Sequence, residues 1–126
     1  MTFARAVAVL DTIPGVKQRG AELWVAEIGI TMARFGTASR LAAWSGVAPG
    51  NEESTGQRRS GKTRKGSRVL RAALTQLAHA AARTKGTYLS ALSQPLARRR
   101  GKKRAIVAVA HAMVVSAFHR LSRNEP

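Results

Sequence analysis

Two hydroxyls, Ser54 and Ser60, lie in a stretch from Pro49 to Arg71 that also carries seven cations, Arg58, Arg59, Lys62, Arg64, Lys65, Arg68 and Arg71. A serine becomes a nucleophile only when its proton is removed and the charge developing on its target is stabilised. Arginines crowded around it can hold a scissile phosphate for that purpose. Residue types alone do not rank Ser54 against Ser60, and either also reads as a turn-forming or phosphate-contacting hydroxyl. Glu52 and Glu53 directly precede Ser54, where they can orient its hydroxyl or simply offset the local positive charge. Gly50, Gly56, Gly61 and Gly66 punctuate the stretch, and no helical or strand period is legible before Ser67. A long surface loop over 46–66 is expected, as the place where the protein meets a polyanion.

A second cationic block, Arg98, Arg99, Arg100, Lys102, Lys103 and Arg104, follows further along the chain. Over all 126 residues, 22 Lys and Arg face 6 Asp and Glu, a formal net charge of +16. Such an excess repels itself until a polyanion neutralises it, and nucleic acid is the expected partner. Anionic membrane is the weaker reading, because the cations fall in blocks and do not line one face of an amphipathic helix. The absence of cysteine excludes a disulfide scaffold and thiolate zinc sites. The longest apolar run, Ala105 to Phe118, is too short to span a bilayer, so a soluble, cytoplasmic protein without a membrane partner is expected.

The length suits one domain, 1–126, with enough chain to bury its own core. Phe3, Val7 and Leu10 recur at helical spacing; Pro14 and Gly15 then turn the chain, and a second helix is expected from about Gln18 to a C-cap at Gly29. This outline over 2–29 is that of a helix-hairpin-helix, in which backbone N–H groups of the turn at Pro14, Gly15 and Val16 meet a DNA phosphate. Lys17 stands where the usual hairpin has a second glycine and can supply charge there; a plain packing corner is the other reading. Thr37 is placed to cap a short helix over about 38–45, with Trp44 as a core residue. Ser67 is expected to cap a helix carrying Val69, Leu70, Ala73, Leu74, Leu77 and Ala81, with Arg64, Arg68 and Arg71 on a common side. A helix from Tyr88 should be interrupted by Pro95. A last helix carries Ile106, Val109, Ala110, Met113, Ala117 and Leu121 in one stripe, completing a helical bundle over 67–122. No strand pattern occurs, and the expected class is all-α.

Other constellations carry less. Gly56 to Thr63 fits the G-x-x-x-x-G-K-[ST] pattern, but a phosphate-binding P-loop follows a buried strand, whereas Asn51-Glu52-Glu53-Ser54 precedes this one. His79 and His111 sit in alanine- and valine-rich helical stretches, where a packed neutral imidazole is the common case. No carboxylate spacing makes a metal site with them or with His119.

Five segments in order, Ile13 to Val16, Ala26 to Gly29, Phe35 to Pro49, Glu53 to Arg59 and Thr63 to Arg71, resemble the C-terminal domain of DEDD-type insertion-sequence transposases over nearly the whole chain. The resemblance implies a DNA recombinase guided by a structured bridge RNA and acting as a homo-oligomer. In it, an N-terminal RuvC-like module binds Mg²⁺ through an acidic cluster, and a C-terminal serine attacks the phosphodiester. Ser54 matches that serine, five positions after Pro49 and two before Gly56, with Thr55 where the family often has the glycine. Arg58, Arg59, Lys62, Arg64 and Lys65 are then the phosphate clamps. The chain has no acidic cluster, so no metal ligand and no cofactor are expected in it, and a truncated gene, a separately made domain or a remnant, inactive alone, is expected. The alternative is a nucleic-acid-binding module that uses the same cationic clusters without catalysis.

Overall fold

The computed structural model describes residues 2–47 and 65–126, the side chains from Arg68 onward in the second segment. Its regular elements are α1 (Phe3–Asp11), α2 (Gln18–Ile28), a single 3-10 turn (Met32–Arg34), α3 (Ala38–Trp44), α4 (Lys65–Arg83), α5 (Tyr88–Arg100) and α6 (Lys102–Arg123). No strand occurs among the described residues, in agreement with the all-α expectation.

Threonines start three of the helices. The hydroxyl of Thr2 accepts from the backbone N–H of Arg5 at 3.1 Å, that of Thr37 from Arg40 at 3.1 Å and that of Thr87 from Ser90 at 3.2 Å. Each satisfies one donor that the first helical turn leaves open, a contribution of about 1 kcal/mol. Helix α2 starts without such a cap and stops at Gly29, whose N–H donates to the Val25 carbonyl.

The longest helix, α6, is the centre of the packing and touches α1, α3, α4, α5 and the 3-10 turn. Its stripe Val109, Ala110, Met113, Val114, Ala117 and Leu121 is buried, in a core completed by Leu10, Ile13, Trp24, Ile28, Leu41, Leu70, Leu74 and Leu89. The indole N–H of Trp24 is buried there with no acceptor among the described residues. The helical pair α1–α2 lies against α4 through small residues. Gly15, at φ +87°, is so close to α4 that an added Cβ would stand 2.6 Å from the backbone nitrogen of Ala81. Gly20 faces the side chain of Leu77 in the same contact. At the opposite end of α6, the guanidinium of Arg5 donates to the side-chain oxygen of Asn124 at 2.8 Å and to its carbonyl at 3.1 Å, and Arg120 donates to the hydroxyl of Thr12. The first and last helices are thereby tied at one pole.

Four expectations change. Pro95 does not interrupt α5, which runs through it. A proline lacks only its own N–H and strains one turn, and Pro95 sits on the exposed side, where a bent turn disturbs no packing. Ser67 lies inside α4, two residues after its start, and so does not cap it. Phe3 and Val69 fit the apolar periods of their helices, yet both are exposed; the buried face of α4 runs through Leu70, Leu74, Ala78 and Ala81, and Val69 lies to one side of it. Helix α6 is long and apolar enough, by length and composition alone, to cross a membrane. The uninterrupted apolar run inside it is shorter than the helix, and the apolar stripe of α6 is packed against the other helices.

Candidate nucleic-acid interface

Stretches far apart in sequence converge where the segment after α3, the middle of α4 and the first turns of α6 meet. Between them lies a cleft of about 650 Å³ lined by Gly46 and Val47 after α3, by Arg71, Thr75 and His79 of α4, and by Lys102, Lys103, Arg104, Ile106, Val107 and Ala110 of α6. Arg71, Thr75 and His79 repeat every four residues, which puts them on one face of α4. The three cations of α6 fall in its first turn because Gly101 ends α5 and begins α6 with a single residue, so the second block stays compact.

A second cleft of about 500 Å³ continues from the first and shares His79, Lys102 and Ile106 with it. Its remaining lining comes from Ala82 and Arg83 of α4, from Ser93, Gln94, Ala97 and Arg98 of α5, and from Ala105 of α6. Asp11, Glu22, Glu27 and Glu125, the acidic side chains among the described residues, line neither cleft. Among the described residues the two clefts together therefore carry one sign of charge, which between low-dielectric walls attracts anions.

The structure thus brings together Arg71 from the first predicted cluster and Arg98, Lys102, Lys103 and Arg104 from the second. Arg68, Arg99 and Arg100 are exposed on the same helices but line neither cleft. Ser54, Ser60, Arg58, Arg59, Lys62 and Arg64 lie outside the described residues, as do Glu52, Glu53 and the P-loop-like stretch 56–63. Val47, the last described residue before them, lines the first cleft, and α4 begins at Lys65.

The hairpin residues sit elsewhere. Val16 is buried and its N–H donates to the Ile13 carbonyl at 3.0 Å, while Gly15 presses on Ala81. Lys17 is exposed at the uncapped start of α2 and lines neither cleft.

His79, expected to be packed, is exposed and lies at the junction of the two clefts; its four-residue spacing from Thr75 and Arg71 was the available signal. Arg83 and Gln94 also line the second cleft without having been singled out. His111 is half-buried on α6, where loss of hydration holds its imidazole below the ordinary histidine range. Other cations have structural partners: Arg34 lies 4.9 Å from the centre of the Phe35 ring and donates to the Ile28 carbonyl.

A model of the Transposase IS116/IS110/IS902 family matches residues 7–94. The match runs from α1 into α5 and takes in Gly46, Val47, Arg71, Thr75 and His79, while the α6 side of the cleft lies beyond it. No curated protein and no solved structure matches the chain.

Proposed function

Because the chain belongs to the IS116/IS110/IS902 transposase family, we propose that it holds DNA across its basic clefts and presents Ser54 for phosphodiester cleavage and strand exchange. A transposase acts on DNA, and the observation that supports this place for it is the assembly of Arg71, Lys102, Lys103 and Arg104 around one cleft. In the proposed step the Ser54 hydroxyl attacks phosphorus. Its oxygen forms a phosphoserine bond, the bond to one deoxyribose oxygen breaks, and that oxygen leaves with a proton. Arg58, Arg59, Lys62, Arg64 and Lys65 would neutralise the charge on the phosphorane, where stabilisation in the transition state counts most.

The same reading gives the chain a guide RNA, a homo-oligomeric assembly, a cytoplasmic setting and a RuvC-like module that supplies Mg²⁺. The described residues contain no group of three or more metal-ligating side chains. The cations hold and orient the phosphate; the turn at Pro14 to Val16 takes no part, because the Val16 N–H already donates to the Ile13 carbonyl and Gly15 packs on Ala81.

The test is a strand-break assay with the complete recombinase on a nicked DNA substrate. Ser54→Ala should abolish the covalent protein–DNA adduct, while Ser60→Ala retains it. An adduct that survives Ser54→Ala and disappears in Ser60→Ala would transfer the role to Ser60. Salt-sensitive binding with no adduct from either wild type or variants would leave a non-catalytic nucleic-acid-binding module.

A further inference from the structure

The first cleft has two tiers. Arg71, Lys102, Lys103 and Arg104 are exposed around it, whereas Val47 and Ala110 are buried and Ile106 and Val107 half-buried beneath them. Phosphate recognition alone has no use for such a floor. A duplex keeps its bases paired and stacked and offers a protein its phosphates, sugars and groove edges. A recessed apolar floor below cations suits a ligand that joins a flat, weakly polar face to a negative charge within one small unit. An unpaired nucleotide is such a ligand.

His79 supplies the second element. It is exposed and lines both clefts, and an imidazole ring is among the side chains on which unstacked bases lie. A volume of about 650 Å³ is within the range of pockets that enclose a small molecule. The second cleft continues past His79 with Arg83, Arg98 and Lys102 for a further phosphate and the Gln94 amide for a base edge.

We infer that the two clefts form a track for unpaired nucleotides, with bases seated on Ile106, Val107 and Ala110 beside His79 and phosphates held by Arg71, Lys102 and Arg98. This rests on the reading of the clefts as the DNA-binding face and deepens it, since it assigns single-stranded and not duplex nucleic acid to them. The discriminating quantity is the contribution of the base itself at constant charge.

The experiment is fluorescence anisotropy of the full chain at fixed salt with three oligonucleotides of about 20 positions. They are a single strand, its duplex, and the same single strand with abasic sites at its centre. The intact strand should bind about 5-fold tighter than the abasic strand, the low end of what base stacking contributes. His79→Ala should bring that ratio toward one, and Val107→Trp, which fills the floor, should do the same with the imidazole intact. Equal affinity for intact and abasic strands, or a ratio unmoved by both substitutions, would overturn the track and leave the DNA-binding reading standing. Absence of binding to all three would overturn that reading itself.

Discussion

At the scale of single residues, the contact between the first turn and α4 depends on an atom that is not there. An alanine at position 15 would have to place its Cβ 2.6 Å from the Ala81 nitrogen and 2.7 Å from its Cα, both backbone atoms, while holding φ at +87°. Gly15→Ala is expected to cost about 2–4 kcal/mol of stability in urea unfolding, since neither strain can relax without parting α1–α2 from α4. Gly20→Ala is a matched control. Its Cβ meets the flexible end of Leu77, and the gain in helix propensity offsets the adjustment, so a change within about 1 kcal/mol is expected. His111 gives a pH dependence of known sign. Burial lowers its folded-state pKa from 6.5, so as pH falls below that value the unfolded chain binds the proton first. Stability should therefore fall between pH 7 and pH 5.5, until the folded imidazole titrates as well. Urea midpoints across that window should show a smaller fall in His111→Gln.

At the scale of elements, the sequence was most legible where a helix announces itself through its own neighbours. The Thr37 cap, the Gly29 stop and the α6 stripe are local patterns, and they appear in the structure where they were expected. Pro95 misled because its penalty was weighed without knowing that it faces solvent. The clefts were not legible as such. Each cationic block was evident, but the meeting of Arg71 with the second block depends on α4 packing beside α6, a relation between residues that periodicity within one helix cannot express. His79 was misjudged for the same reason, because alanine neighbours along the chain say little about the opposite helical face. Between α5 and α6, Gly101 has φ +93° and ψ 160°, a combination open essentially to glycine alone. An added Cβ there meets nothing within 4 Å, so a substitution is resisted by the backbone and not by crowding. Gly101→Ala is expected to lower stability by about 1–3 kcal/mol. By turning Arg98 against Lys102 it should also weaken DNA binding, as anisotropy at constant salt would report.

For the molecule as a whole, a net charge of +16 on 126 residues makes the folded state sensitive to its counterions. DNA present at about 100 times its dissociation constant should raise the midpoint of thermal unfolding by roughly 10 °C, an effect that disappears in high salt. If the six cations lining the clefts, Arg71, Arg83, Arg98, Lys102, Lys103 and Arg104, all meet phosphates, the logarithm of single-strand affinity should fall against that of salt with a slope of about −4. The bonds from Arg5 to Asn124 and from Arg120 to Thr12 bear on how such measurements can be arranged. They hold residues near both ends of the described chain beside the last turn of α6, while the first cleft opens at its first turns, roughly 25 Å away along the helix axis. A tether attached at either end therefore leaves from the same pole. A molecule anchored to a surface by one end would present its basic clefts outward, and a dye on the other end would report on the anchor and not on the bound strand.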